Sequence, residues 1–160
     1  MSAGTHRPPF RLATAADLPA LAALYAHSAR QLGPQAYSPE QVIAWQGFAD
    51  DAPAFADYVL QPRTYMAEDA EGALGFCGID AEGEVRSLYV RAAAMRGGLG
   101  SSLLAQALAD ARQSGQSRFS AWATPFSLPV FHRAGFALAH TLREPFQGVM
   151  FERYRVECGA

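Results

Sequence analysis

Three glycines, Gly97, Gly98 and Gly100, separate an apolar segment from a helical pattern within SLYVRAAAMRGGLGSSLLAQAL. A helix that begins near Leu99 exposes unpaired backbone N–H groups and the positive end of its dipole at this turn. Because glycines let a ligand approach the backbone closely, the turn predicts an anion site for which a diphosphate is the natural ligand. Positive charge and hydroxyl donors can be added there by Arg96, Ser101 and Ser102.

Two common phosphate-binding motifs do not fit this turn. A Walker loop ends in Gly-Lys-Ser/Thr, and the chain has no lysine. The dinucleotide fingerprint needs a third glycine after Gly98-x-Gly100, where this chain has Leu103. A flexible turn that binds nothing is the alternative to an anion site.

Composition is typical of one globular domain, which we predict over residues 1–160, with 50% hydrophobic and 18% charged residues. The net charge of −2 argues against a general nucleic-acid binder. Residues 81–160 carry nine arginines and six acids, a net of +3, which suits an anionic ligand at the glycine turn. Since no apolar run reaches the ~18 residues of a membrane span and the N-terminus lacks a signal-peptide core, we expect a cytoplasmic protein that binds no membrane.

Cysteines and histidines give no metal-binding pattern. Cys77 and Cys158 have neither metal-ligand nor redox spacing and are expected to be reduced thiols. No pair of histidines has metal-ligand spacing, and His27 and His132 lie in predicted helices, where a structural role is more common. We therefore expect no metal.

Hydrophobic periodicity predicts the element order β-α-α-β-β-β-α-β-α-β-β. The second helix has a start signal in Ser38, followed by Pro39 and Gln41. The order predicts an α/β (α+β) domain with a largely antiparallel sheet of about six or seven strands flanked by about four helices. Predicted strands span residues 9–15, 64–69, 73–80, 84–90, 118–124, 136–144 and 149–156, and predicted helices span residues 14–32, 37–48, 99–111 and 126–135.

Two segments resemble the GCN5-related N-acetyltransferase (GNAT) family. The family's coenzyme A loop reads Gln/Arg-x-x-Gly-x-Gly/Ala after a strand. In LYVRAAAMRGGLG the glycine positions are Gly98 and Gly100, and the first position is Met95. A second family form, NxxAxxFYxxxGF, resembles TPFSLPVFHRAGF, in which Thr124 stands at the Asn and Phe131 at the Tyr. The segment YSPEQVIAW is similar to one in a bacterial branch of the family, and the resemblance covers essentially the whole chain.

This resemblance implies a GNAT-type mixed sheet and an acyltransferase. The implied reaction moves the acetyl group of acetyl-CoA to a primary amine by direct attack in a ternary complex. A backbone N–H group of the strand before the turn would bind the acetyl carbonyl. Phe131 cannot donate the proton that a tyrosine there often gives to the departing thiolate, but it can pack against the cofactor. The implied cofactor residues are Leu88, Tyr89, Val90, Met95, Arg96, Gly97, Gly98, Leu99, Gly100, Ser101, Ser102, Thr124 and Phe131.

Glu84 is the implied general base, because histone-type members of the family carry a glutamate at this spacing. Strand alternation predicts that Glu84, Arg86, Leu88 and Val90 share one face. The carboxylate would then lie ~13 Å from the acetyl site and act through a water relay. A structural role for Glu84, in an ion pair or at the end of a turn, is an equally open alternative.

The acceptor would be a small-molecule or peptide amine. Tyr25, His27, Tyr37 and Trp45 lie in helical segments that form one wall of the family's acceptor cleft, although aromatic residues at helical spacing also fit a core. A protein or tRNA acceptor is an alternative, but the net charge of −5 over residues 1–80 speaks against RNA. We expect a monomer or homodimer. A catalytically weak acetyl-CoA-binding sensor is the alternative function.

Overall fold

The computed structural model describes residues 10–159 and contains one mixed sheet with helices on both faces. The predicted α/β class with a largely antiparallel sheet is confirmed. The strand order is β1-β2-β3-β4-β5-β7-β6, in which β4 and β5 are parallel and the other neighbours antiparallel. The strands are β1 (Arg11–Leu12), β2 (Arg63–Asp69), β3 (Gly72–Ile79), β4 (Glu84–Val90), β5 (Arg118–Ala123), β6 (Ala137–Phe146) and β7 (Val149–Gly159). The α-helices are α1 (Leu18–Leu32), α2 (Pro39–Gly47), α3 (Ala52–Leu60), α4 (Leu99–Gln113) and α5 (Leu128–Arg133).

Helix α3 is the α-helix of the described residues that the sequence pattern did not predict. Asp51 caps it by accepting a hydrogen bond from the N–H of Ala54 at 3.1 Å, and Pro53 lies in its first turn. This start is of the same kind as that of α2, where the predicted capping box between Ser38 and Gln41 forms with distances of 2.9 and 3.1 Å. The described residues thus form five α-helices, one more than predicted. None of these helices is long and apolar enough to cross a bilayer.

Two clusters of buried side chains, one on each face of the sheet, hold the helices against the strands. Helices α4 and α5 cover a cluster that includes Leu103, Leu104 and Phe119. Helices α1, α2 and α3 cover the other cluster, which includes Leu21 and Phe55. One apolar face of α4 is buried at all six of its positions: Leu99, Leu103, Leu104, Ala107, Leu108 and Ala111. The pattern of period 3.6 therefore fixes how α4 lies on the sheet.

Strand β4 contains an extra residue relative to its neighbour β3. Gly78 of β3 pairs with Ser87, but the next residue, Ile79, pairs with Val85. Arg86 therefore has no partner opposite it on β3, which is the geometry of a β-bulge. A bulge shifts the alternation of side chains by one position, so the residues before and after it follow different phases.

This bulge separates Glu84 from the residues with which it was expected to share a face. Val85, Leu88 and Val90 pack on the cluster under α4 and α5, whereas Tyr89 packs on the cluster under α1, α2 and α3. Glu84 precedes the bulge and alternates with Val85, so its side chain faces away from α4. The prediction that Glu84 shares a face with Leu88 and Val90 is therefore wrong.

The parallel pair β4 and β5 stays together over a short length. Within the described residues, the pairing joins Glu84 to Ser120 and Val85 to Ala121 and no further positions. Beyond these pairs the two strands diverge toward their carboxyl ends. A gap opens in the middle of the sheet, directly before the glycine turn.

Replacement of Leu103 by alanine tests the packing of α4. Leu103 has 0% exposure, and its loss leaves a cavity between α4 and the sheet, so we expect unfolding to become easier by about 2–5 kcal/mol. The matched control is Leu60→Ala, since Leu60 is 40% exposed at the end of α3 and should cost much less. Denaturant unfolding of the two variants gives the comparison, and equal losses would contradict this account of the core.

Candidate functional site

The glycine turn forms the N-terminal end of α4 at the gap between β4 and β5. A 3-10 turn over Ala92–Gly97 follows β4, and Gly98 takes a left-handed conformation with φ +75° before α4 begins. Glycine adopts this conformation without the penalty that a Cβ imposes. Gly100 is buried, and a Cβ there would lie 3.4 Å from Cγ2 of Val90. The helix therefore starts in close contact with the end of β4, with its unpaired N–H groups at the gap.

A first cleft, the turn cleft, lies between the diverging strands and the glycine turn. Eight of the predicted cofactor residues line it: Leu88, Tyr89, Val90, Met95, Gly98, Gly100, Ser101 and Thr124. Further lining residues that the sequence did not indicate come from α1, from α5 and from the turn before α5, among them Ser28, Leu32, Phe126, Ser127, Val130 and Arg133. A helical step of three from Val130 leads to Arg133, so the phase of α5 could have predicted this cation.

Five predicted cofactor residues are not among those that line the turn cleft. Arg96 and Gly97 are exposed, Leu99 is buried under α4, and Ser102 is half-buried. Phe131 is 2% exposed, and its ring packs on Phe136 with the centroids 5.1 Å apart. The helical phase of α5 turns Val130 toward the cleft and the adjacent Phe131 toward the core.

Thr124 and Ser127 fix the chain between β5 and α5. The Ser127 hydroxyl accepts a hydrogen bond from the Thr124 N–H at 2.9 Å, and the Thr124 hydroxyl accepts from the N–H groups of Phe126 and Ser127 at 3.2 and 3.1 Å. These bonds satisfy backbone donors at the start of a short helix. The Thr124 hydroxyl is thus engaged in shaping the wall of the turn cleft.

A second cleft, the aromatic cleft, lies on the sheet face covered by α1, α2 and α3. It is lined by the predicted residues Tyr25, Tyr37, Trp45 and Glu84. Residues that the sequence analysis did not single out for a site also line it, namely Phe48, Tyr58, Trp122, Phe146 and Phe151 with Arg86 and Arg153. His27 lines neither cleft, because it lies on a different face of α1 from Tyr25 and Ser28.

The two clefts meet at Trp45, Tyr89 and Thr124, which line both of them. The indole N–H of Trp45 donates to the Tyr89 hydroxyl at 3.4 Å. Next to this junction, the hydroxyl of Ser28 donates to the carbonyl oxygen of Val90 at 3.3 Å. The two clefts are therefore adjacent at these three residues.

Tyrosines form the floor of the aromatic cleft. The ring centroids of Tyr25 and Tyr89 are 4.8 Å apart, and those of Tyr25 and Tyr58 are 6.2 Å apart. Burial raises the pKa of Tyr25, Tyr37, Tyr58 and Tyr89 above the usual tyrosine value. The floor is therefore neutral at physiological pH and offers hydroxyl groups that can donate hydrogen bonds.

Arginines border this cleft on its β4 and β7 side. Arg155 donates to Glu84 at 2.9 Å and to the Ser120 hydroxyl at 2.8 Å. Arg86 lies 3.8 Å from Glu84. Arg153 pairs with Glu144. In the aromatic cleft, Glu84 is therefore hydrogen-bonded to Arg155 and lies beside Arg86.

Metal-ligating residues form no cluster within residues 10–159: no group of three or more His, Cys, Asp or Glu side chains there could hold a metal ion. Cys77 is buried and Cys158 half-buried, and both thiols are free. Burial raises the pKa of Cys77 to about 12, so this thiol is not a nucleophile at neutral pH.

Comparison with known proteins gives a family match and similar folds. Residues 34–158 match the family described as acetyltransferase (GNAT) domain, and no curated protein sequence matches the chain. A GCN5-related N-acetyltransferase from Rhodopseudomonas palustris is similar, with TM-score 0.90, 22% identity and 96% of each chain covered. PaiA N-acetyltransferase from Thermoplasma acidophilum, in complex with coenzyme A, has TM-score 0.77 and 16% identity over 95% of this chain and 98% of its own. YncA from Salmonella typhimurium, with its cofactor acetyl-CoA, has TM-score 0.65 and 19% identity over 94% of this chain and 92% of its own.

Titration of the tyrosines tests the burial of the cleft floor. Because the folded-state pKa values of Tyr25, Tyr37, Tyr58 and Tyr89 are raised, the native protein should ionise few tyrosines near the ordinary value of ~10. The unfolded chain should ionise all six there. Stability should accordingly fall as the pH rises above ~10, since only the unfolded state then releases these protons. Ultraviolet absorbance of tyrosinate in native and denatured protein measures the difference, and coincident titration curves would contradict it.

Proposed function

Because this chain belongs to the GNAT acetyltransferase family, we propose that it binds acetyl-CoA in the turn cleft and transfers the acetyl group to an amine in the aromatic cleft. The observation that carries the proposal is the junction at Trp45, Tyr89 and Thr124, where the two clefts share a wall. A thioester in one cleft and an amine in the other would meet there without a covalent enzyme intermediate. Binding both reactants in contact supplies much of the rate enhancement of such a reaction. Coenzyme A and acetyl-CoA in two of the similar structures support the choice of cofactor.

The start of α4 suits the diphosphate of coenzyme A. Backbone N–H groups from Gly98 to Ser101 and the positive end of the helix dipole favour an anion. Arg133, which lines the same cleft, adds a full positive charge. The backbone of residues 88–90 has no β5 partner in the described pairing, so it can hydrogen-bond the amide groups of the cofactor arm and the acetyl carbonyl.

The chemical step is attack of a neutral amine on the thioester carbonyl. An ammonium ion has no lone pair, so a proton must first leave it. The Tyr89 hydroxyl lies at the junction, and its raised pKa keeps it protonated, so it can donate a hydrogen bond to the departing sulfur. Phe131 has no proton to give, and its burial in the core is consistent with a role in packing alone.

Glu84 is the proposed base. It lines the aromatic cleft and is the acidic residue on β4. Its carboxylate lies near the end of the cleft where β4 and β5 are still paired, so one or more water molecules would carry the proton from the amine at the junction. The alternative is that Glu84 only orients Arg155, to which it is bonded at 2.9 Å.

Replacement of Gly98 by valine tests cofactor binding at the turn. Valine disfavours the left-handed backbone and adds a side chain beside the proposed diphosphate, so acetyl-CoA affinity should fall by roughly tenfold or more in calorimetry. Gly115→Val is the matched control, because Gly115 also has positive φ (+97°) but lies beyond α4 with nothing within 4 Å of an added Cβ. The Gly115→Val variant should lose about 1–3 kcal/mol of stability and keep its affinity for acetyl-CoA. Unchanged affinity in Gly98→Val would contradict the proposed cofactor site.

Replacement of Glu84 by glutamine tests the base. Acetyl transfer to a working amine should lose up to about 10²–10⁴-fold in kcat/KM, and the loss should shrink at high pH, where more of the amine is already neutral. Ser120→Ala is the control for Arg155, since it removes the other hydrogen bond of that guanidinium and leaves the carboxylate. A pH–rate profile in which both variants behave alike would assign Glu84 to the ion pair. A separate assay distinguishes an enzyme from a sensor that binds acetyl-CoA without transfer. It measures coenzyme A release from acetyl-CoA in the presence of a panel of amines and detects the acetylated amine by mass spectrometry.

A further inference from the structure

We propose that the acceptor is an amino acid with an apolar or aromatic side chain, and that Arg153 binds its carboxylate in the aromatic cleft. This inference rests on the proposed function, because it names the molecule that would receive the acetyl group. It follows from three features of the cleft: a guanidinium with remaining hydrogen-bonding capacity, a neutral hydroxyl-bearing floor, and a lining in which nine residues are aromatic.

Arg153 lies within the cleft and acts on its floor. It is a lining residue, and its guanidinium carbon is 5.1 Å from the ring centroid of Trp122. Tyr25, Tyr37 and Tyr89 line the same cleft, and the charge of Arg153 lowers their pKa against the larger effect of burial. A carboxylate beneath Arg153 would therefore also meet neutral phenol donors.

The hydrogen bonds of the three arginines distinguish Arg153 from the other two. Arg155 uses both terminal nitrogens, one on Glu84 and one on Ser120. Arg86 is 48% exposed and lies between Asp80 and Glu84, at 3.7 and 3.8 Å.

Arg153 instead bonds Glu144 through one terminal nitrogen, and a guanidinium carries five N–H donors in a planar fork. Glu144 is itself 35% exposed, so it competes weakly for the charge. A second, bidentate carboxylate can thus bind the same guanidinium.

Acidic side chains accompany the arginines of this cleft. Glu84 lines it beside Arg86 and bonds Arg155, and Glu144 pairs with Arg153. The cleft as a whole is therefore not strongly cationic, and the preference for a carboxylate rests on the remaining N–H donors of the Arg153 guanidinium.

The aromatic part of the lining favours an apolar or aromatic side chain on the acceptor. Nine aromatic residues line the cleft, and rings of this kind bury large apolar surfaces and favour other rings at offset or edge contacts. The cleft has a volume of about 490 Å³, which is typical of a site for a small molecule rather than a folded partner. Arg153 and Tyr89 line the same cleft, and Tyr89 also lies at the junction with the turn cleft. The proposal therefore places the carboxylate of the acceptor at the guanidinium and its amine toward the junction.

The reaction then balances as follows. The α-ammonium group loses one proton, and its nitrogen forms a bond to the acetyl carbonyl carbon. The carbon–sulfur bond breaks, and the electron pair leaves with the sulfur of coenzyme A. The nitrogen loses its second proton on forming the amide. One proton ends on the coenzyme A thiol and the other in solvent.

The test compares acceptors that differ in one group, using the full chain and acetyl-CoA. The acceptors are L-phenylalanine, L-phenylalaninamide, 2-phenylethylamine and glycine. We expect L-phenylalanine to have the highest kcat/KM, with the three others roughly tenfold or more below it. Glycine tests the aromatic walls, and the amide and the decarboxylated amine test the anion site.

Arg153→Gln should reduce kcat/KM for L-phenylalanine by roughly 10- to 100-fold, mainly through KM, and should leave 2-phenylethylamine nearly unchanged. Arg153→Lys keeps the charge but not the fork, so it should restore part of the loss. Arg143→Gln is the matched control. Arg143 is exposed in the same hairpin and lies opposite Glu152 in the β6–β7 strand register, on the other face of the sheet from Arg153. The Arg143→Gln substitution removes the same charge and should leave kcat/KM for both acceptors unchanged. Circular dichroism and thermal unfolding of each variant check that the fold is intact.

The outcomes separate this inference from the proposed function. Equal or better transfer to 2-phenylethylamine by the wild-type protein, or equal losses for both acceptors in Arg153→Gln, overturns the amino acid acceptor and leaves acetyl transfer standing. Binding of L-phenylalanine to the coenzyme A-loaded protein, dependent on Arg153 in calorimetry but without transfer, supports the anion site and overturns the enzyme. If L-phenylalanine is neither bound nor acetylated, the inference is overturned.

Discussion

Both clefts depend on the separation of β4 from β5 after two residue pairs. Buried backbone N–H and C=O groups need hydrogen-bond partners, and on this side of β4 the neighbouring strand stops supplying them. The Ser28 hydroxyl satisfies the carbonyl of Val90. The other polar groups of residues 88–90 border the turn cleft, where an extended ligand rich in amides can pair with them much as an added strand would. The gap in the sheet thus costs backbone pairing, and the proposed cofactor site depends on it.

The bulge at Arg86 determines which side chains of β4 face each side of the sheet beside this gap. It lets Leu88 and Val90 pack under α4 while Glu84 and Tyr89 face the aromatic cleft. Without the extra residue, a single alternation would run through β4 and place Glu84 on the face of Leu88 and Val90, opposite Tyr89. Bulges often re-aim side chains beside active sites in this way. Here the bulge leaves the acidic side chain and the phenol of one strand in the same cleft.

Local signals predicted the described strands, the glycine turn and every α-helix of the described residues except α3. Long-range packing determined most of the features that these signals could not predict. The apolar face of α4, the capping box of α2 and the positive φ of Gly98 follow from residue types at fixed spacing. The strand alternation around Glu84 failed because a bulge depends on the neighbouring strand. Phe131 and His27 were assigned to clefts that they do not line, since the phase of a helix against its sheet is set by packing. Arg153 gave no local signal, because its position depends on where the β6–β7 hairpin crosses Trp122.

The aromatic cleft must satisfy two opposed electrostatic requirements. An acceptor with a carboxylate needs a positive charge to hold it, but the amine on the same molecule must become neutral before it can attack. One guanidinium can serve both needs, since a like charge nearby disfavours the ammonium form and lowers the pKa of the amine. Burial among neutral tyrosines acts in the same direction, because desolvation also disfavours the charged form. The floor is neutral at physiological pH, and the raised tyrosine pKa values extend that neutrality to higher pH. An ionised floor would stabilise the ammonium ion and oppose the proposed reaction.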